Sequence, residues 1–172
     1  MKPAGPLEIE VKLRIPSPEV LAPRLGAAGF RPVRPEALEV SVLWDRSGEL
    51  QAADCALRVR RYAGRCLLTW KGARVADPRL KVRPERETEV ADPEALEAIL
   101  EALGYAPVLR MEKRRAIWER AGLEACLDRT PFGCFLELEG EREAIQAAMA
   151  ELGLDPGQIE TRSYAVLFSE QG

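Results

Sequence analysis

Three observations predict an α+β domain in which antiparallel strands close into a barrel with a polar interior. Segment 7–15 alternates strictly, so Glu8, Glu10, Lys12 and Arg14 share one strand face while Leu7, Ile9, Val11, Leu13 and Ile15 take the other. The same pattern returns in later strand-like segments, each with one strongly charged face. A few short helical patterns then offer cover for the apolar faces, which turns the charged faces inward. An ordinary sandwich would turn those charges to solvent.

The elements follow in order. Along the first strand, side chains on one face lie about 7 Å apart, twice the strand rise, so two carboxylates and two cations line one surface. Ser17 reads as an N-cap, and Val20, Leu21, Leu25 and Ala28 mark one face of a helix that stops near Gly29. Residues 31–45 read as extended, and Asp45-Arg46-Ser47-Gly48 as a turn. A hairpin is expected over 56–71 around Ala63-Gly64, with Lys71-Gly72 at its end. Residues 79–90 alternate again, with Lys81, Arg83, Glu85, Glu87 and Glu89 on one face. Asp92-Pro93-Glu94 starts a helix over 95–103 that Gly104 closes. Three strands are expected over 106–119, 123–130 and 134–140, joined by Arg120-Ala121-Gly122 and Pro131-Phe132-Gly133. A helix over 142–152 and a short one within 161–168 finish the chain.

A chain of 172 residues is expected to form one domain over 1–172 and to bury roughly 70% of its unfolded surface. Charged residues make up 31% of the chain, yet the net charge is only −3, which argues against a general nucleic-acid binder. No apolar run approaches the roughly 20 residues of a membrane span, and residues 1–6 lack the apolar core of a signal peptide. A soluble, cytoplasmic protein with neither nucleic acid nor membrane as partner is expected. Cys55, Cys66, Cys126 and Cys134 show no Cys-x-x-Cys spacing and read as reduced thiols. The chain contains no histidine, which removes Ser-His-Asp and Cys-His catalysis and mixed zinc sites together. Any metal is expected to be hard and oxygen-bound.

Arg58 and Arg60 share a face, and Lys71 rises on the partner strand; arginine forks and a lysine point charge suit phosphate oxygens. A solvated basic hairpin would read the same way. Glu87 and Glu89 repeat the spacing of Glu8 and Glu10, while cross-strand ion pairs account for Glu85 without a ligand. Lys113 and Arg115 alternate as well, but their in-phase neighbours Met111 and Ile117 are apolar, so phase leaves the direction of Lys113 open. Asp128 follows Leu127, and Glu137 with Glu139 supplies a third carboxylate pair. Converging acids and bases would form a site, because like charges repel unless compensated; scattered on an outer surface they would need no explanation. Trp44, Tyr62, Trp70, Trp118 and Tyr164 could stack on a base, but isolated aromatics in strands are usually core, and they read as core residues. No glycine-rich phosphate loop is present, so side chains would hold any phosphate.

Taken in order, Glu8-x-Glu10-x-Lys12, Arg58-x-Arg60, Lys71, Glu87-x-Glu89, Lys113-x-Arg115, Asp128, Glu137-x-Glu139 and Arg162-Ser163-Tyr164 resemble the CYTH family, the triphosphate tunnel metalloenzymes, over nearly the whole chain. The resemblance implies an eight-stranded antiparallel closed β-barrel flanked by helices, in which bases grip a triphosphate-containing small molecule and acids hold magnesium or manganese. By matching position, Lys12, Arg58, Arg60, Lys71, Lys113 and Arg115 would bind phosphates. Glu8, Glu10, Asp128, Glu137 and Glu139 would hold Mg2+ or Mn2+ directly or through water, with Glu87 and Glu89 as further candidates. Glu8, Glu10, Lys12 and Asp128 would form the catalytic set, and Arg14 has no matched role beyond a solvated rim position.

The activity implied is metal-dependent hydrolysis of inorganic triphosphate or of a nucleoside or organic triphosphate. Class IV adenylate cyclase, making cyclic AMP and pyrophosphate from ATP, is the alternative, and a non-catalytic polyphosphate-binding module comes third. The compact length and the segments 112–115 and 161–164 look like short bacterial cyclase-type members. No lysine follows Lys113, unlike the C-terminal lysine of thiamine triphosphatases. No residue stands out as a reader of adenine, which favours hydrolysis. A homodimer stays open.

Overall fold

Alternating apolar and polar residues generate strands wherever the period of two is sustained, and the computed structural model, which describes residues 6–170, contains eight of them. In chain order the elements are β1 (Leu7–Ile15), α1 (Pro18–Ala27), β2 (Arg31–Asp45), α2 (Glu49–Ala52), β3 (Ala56–Tyr62), β4 (Arg65–Lys71) and β5 (Lys81–Glu89). They continue with α3 (Pro93–Ala102), β6 (Ala106–Arg120), β7 (Leu123–Thr130), β8 (Gly133–Glu139), α4 (Arg142–Glu151) and α5 (Tyr164–Ser169). The strands form a closed barrel in the order β1-β5-β4-β3-β2-β6-β7-β8, every pair antiparallel. β1 closes it, pairing Glu10 with Lys81 of β5 on one side and with Glu139 of β8 on the other, so among the described residues every strand has a partner on both sides.

Turn chemistry supports this topology. Ala63-Gly64 and Ala121-Gly122 each place two successive residues at positive φ (50° and 77°; 45° and 77°), the backbone of a tight hairpin turn whose twist matches its strands. Asp92 caps α3 by accepting from the Ala95 N–H at 2.9 Å. Ser17 occupies the expected N-cap of α1, but its side chain makes no capping bond. The short helix α2 follows the expected turn and is organised by Asp45, whose carboxylate accepts from the N–H groups of Arg46, Leu50 and Gln51 at 2.6, 3.0 and 3.1 Å.

The core lies outside the barrel, between its wall and the helices. Val11, Leu13, Leu127, Leu136 and Leu138 pack with Leu21 and Leu25 of α1 and with Ile145 and Ala148 of α4, all almost fully buried. Each buried leucine, isoleucine or valine among them contributes roughly 1.5–3 kcal/mol on burial. Trp44, Val59, Cys66 and Leu100 of α3 form a second cluster. With one wall face committed to the helices, the alternate residues of every strand must face inward. Among the described residues, no helix is long and apolar enough to cross a membrane.

Candidate active site

The barrel interior collects the charged faces of all the strands. The side chains of Lys12, Asp128 and Glu39 are at most 2% exposed and those of Lys113 and Arg115 7%, whereas those of Arg58, Arg60 and Lys71 are 15–19% exposed. The first group is the deepest part of the tunnel. Asp128 organises it, accepting from Lys113 Nζ at 3.0 Å, Arg115 Nε at 2.7 Å, Arg115 Nη2 at 2.6 Å and Tyr164 Oη at 2.6 Å. Arg115 also binds Glu137. Lys12 Nζ lies 3.8 Å from Glu137 and 3.8 Å from the centre of the Tyr164 ring, with no hydrogen-bond partner among the described residues. Burial pulls the Lys12 ammonium down to about 7, against the pull of Glu137 that favours its charge.

Nearer the opening, Lys71 Nζ bridges Glu8 and Glu85, each at 2.7 Å, and Lys81 Nζ holds Glu10 at 3.0 Å. Arg60 pairs with Glu87 at 3.0 Å, and Arg58 approaches Thr69 Oγ1 at 3.4 Å. The acids concentrate where Glu124, Glu139 and Glu10 stand opposite one another across β7, β8 and β1. At the exposed end of β8, partial desolvation and then the charges of Glu124, Glu10 and Glu85 raise the Glu139 carboxyl. Burial also raises Glu8 to about 8, with Glu10 and Glu85 adding to it and Lys71 opposing.

All six expected phosphate-binding bases, Lys12, Arg58, Arg60, Lys71, Lys113 and Arg115, therefore share one interior. Of the acids expected at a metal, Glu8, Glu10, Asp128, Glu137 and Glu139 face the same space. Glu87 stands toward the opening with Arg60, and Glu89 stands apart at the strand end, 56% exposed and paired with Arg65 at 2.9 Å. Lys113, whose direction phase left open, points inward. Arg14 is more than a solvated rim residue: it pairs with Glu160 at 2.9 Å and lies over the Phe135 ring at 4.8 Å.

Several interior polar residues received no role from the sequence, among them Thr69, which donates to Glu87 at 2.7 Å. Glu39 and Ser41 alternate with Leu38, Val40 and Val42, a signal that was present but lay within a long extended stretch. Lys81 was in phase with the charged face of β5, and Glu124 with Asp128 on β7. Tyr164, read as a core residue, instead sets its hydroxyl on Asp128 and its ring against two ammonium groups. It reaches the tunnel from α5, outside any strand pattern, and Ser163 Oγ caps that helix by accepting from the Val166 N–H at 3.3 Å.

The donor set is entirely oxygen, and a divalent cation would offset the neighbouring carboxylate charges that add to burial in raising Glu8 and Glu139. Among the described residues, no three acidic or cysteine side chains converge as a ready-made cage. These residues fit a magnesium-like ion, which keeps several waters and takes one or two carboxylates together with substrate phosphates.

The CYTH domain family model matches residues 6–164. This chain belongs to the CYTH domain family. The CYTH chain is 28% identical to the Methanocaldococcus jannaschii protein named "Putative adenylate cyclase MJ0240", over 94% of this chain and 98% of that one. Its barrel superposes with a TM-score of 0.84 on a "putative adenylate cyclase" from Vibrio parahaemolyticus, 21% identical, covering 96% of this chain and 99% of that one. It superposes with a TM-score of 0.71 on Hippeastrum HpAC1, a "putative adenylyl cyclase" described as having a dominant triphosphatase activity, 23% identical over 95% and 96% of the two chains.

Proposed function

We propose that this protein is a magnesium- or manganese-dependent hydrolase of inorganic triphosphate or of a small nucleoside or organic triphosphate. The observation that carries the reading is a set of buried cationic donors with no acceptor: Lys12 Nζ, Arg58 Nε and Arg60 Nε make no hydrogen bond among the described residues. Buried donors are normally paired, so these call for an anion with several oxygens inside the barrel. A triphosphate supplies it, with Lys71, Lys113 and Arg115 adding charge along the same wall. Magnesium or manganese, when bound, would offset the charge on the phosphate oxygens. Glu8 and Glu139 would take part in holding that ion, which would offset the neighbouring carboxylate charges that add to the raising of both carboxyls. Four unpaired cysteines fit a cytoplasmic setting.

The archaeal relative's name favours a second reading, in which the ribose 3′-hydroxyl of ATP takes the place of water and cyclic AMP forms with pyrophosphate. Incubation with inorganic triphosphate, ATP and thiamine triphosphate in magnesium or manganese, followed by separation of products, decides between them. Phosphate release supports hydrolysis; cyclic AMP with pyrophosphate replaces it with cyclisation. Binding without any product would leave a polyphosphate-binding module.

A further inference from the structure

Glu39 has no place in that scheme, because it is an acid set among the phosphate-binding bases. It is 2% exposed, and its carboxylate lies 3.6 Å from Lys113, 3.7 Å from Arg115 and 3.8 Å from Arg60. None of these contacts is a hydrogen bond. Ser41 Oγ donates to Oε1 at 3.3 Å, and Oε2 has no hydrogen-bond partner among the described residues. Asp128 differs, since it takes direct hydrogen bonds from Lys113 and Arg115 and so fixes where they point. Glu39 subtracts charge from the basic lining without engaging its donors. The surrounding bases hold its carboxyl at about 2, so the charge is present at any physiological pH.

Its position adds a second observation. On the adjacent strands β3, β2 and β6, the inward residues that follow Arg60, Glu39 and Arg115 are Tyr62, Ala37 and Ile117. These three pack with Cys126 as an apolar cluster inside the barrel. The run of inward bases on β3 and β6 stops there, and Glu39 is the last inward ionised group of β2 before it, while on β7 the inward face passes from Cys126 to another acid, Glu124. A phosphate pushed that far would meet a fixed like charge and a surface that cannot solvate it.

We infer that Glu39 ends the phosphate track and sets how many phosphates the tunnel accepts, favouring a linear triphosphate over longer chains. This rests on the triphosphate reading above and assigns a specificity-determining residue to it. Calorimetric titration with linear tri-, tetra- and pentaphosphate, in buffer without divalent metal so that nothing turns over, tests it. Wild-type affinity is expected to stay level or fall from three phosphates to five, although each added phosphate brings more charge. Glu39→Gln is expected to raise the pentaphosphate-to-triphosphate affinity ratio at least tenfold, and Glu39→Asp to keep the wild-type ratio. Wild-type affinity that climbs with chain length overturns the inference without recourse to any variant, and so does an unchanged ratio in a folded Glu39→Gln protein. Absence of binding by every chain to the wild type, both in this buffer and with magnesium added, overturns the triphosphate reading itself.

Discussion

Tyr164 Oη donates a 2.6 Å hydrogen bond to Asp128 Oδ2, so the last helix of the described chain closes on a carboxylate that is fully buried in the barrel. The same ring lies 3.8 Å from Lys12 Nζ and 4.0 Å from Lys113 Nζ, and it meets Phe135 edge-on with centroids 5.6 Å apart. One aromatic side chain thereby joins the acid that holds Lys113 and Arg115 to two of the bases expected to hold phosphate.

Tyr164→Phe removes the hydroxyl and keeps the ring. Hydrogen bonds to charged groups contribute about 1.5–3 kcal/mol, so urea unfolding is expected to show a loss of about 2 kcal/mol at unchanged m-value. A change below about 0.5 kcal/mol would show that Asp128 is held by its bases alone.

Lys12 is a buried cationic side chain with no hydrogen-bond acceptor among the described residues, and the proposed phosphate would supply one. Lys12→Met is expected to leave the thermal midpoint unchanged or higher while weakening triphosphate binding at least about tenfold, or about 1.4 kcal/mol. Arg58→Ala is expected to weaken binding too, more at low salt than at high salt. Calorimetry beside a thermal melt checks the pair of effects; a variant that binds as the wild type does would place the substrate elsewhere.

Glu8 and Glu139 repel neighbouring acids in the absence of metal. Glu8→Gln and Glu139→Gln are each expected to melt no lower than the wild type in chelator and to gain less from added magnesium. Metal-dependent turnover is expected to fall by about 10- to 100-fold or more. Wild-type turnover in both variants would sink the proposed metal site.

Acid should unfold the protein partly through Glu39. Its carboxyl falls from the ordinary 4.5 to about 2 in the folded protein, so the unfolded chain binds the proton more readily. The stability that Glu39 contributes is therefore complete above about pH 4.5 and is lost as the pH falls toward about 2. Urea midpoints measured from pH 5 down to pH 2.5 are expected to drop less steeply in Glu39→Gln than in the wild type.

The charged faces of β1, β3, β5 and β8 were legible because a strand repeats every two residues, and strict alternation survives in the residue order itself. Lys113 was not legible in this way, since apolar neighbours in the same phase left its direction undetermined. Glu87 and Glu89 share a phase, yet they end in different surroundings, because Glu89 lies at the strand end where the wall gives way to solvent. Glu39 was hidden in a 15-residue strand whose register shifts against β6 break up its alternation with Pro32, Pro35 and exposed residues.

By itself, the sequence determined the eight strands and every helix but the short α2, the absence of histidine chemistry, the grouping of acids and bases on shared faces, and a motif order that matches one family. Periodicity says which side chains lie together on a strand and nothing about which face is inside. Only the tertiary structure decided that, by pairing β1 with both β5 and β8 and by packing α1, α3 and α4 against the outer wall. Closure brought Glu39, Lys81 and Glu124 into the charged interior, and the return of α5 carried Tyr164 to Asp128. These are contacts between residues far apart in the chain, set by strand order and helix packing, and no local pattern encodes them.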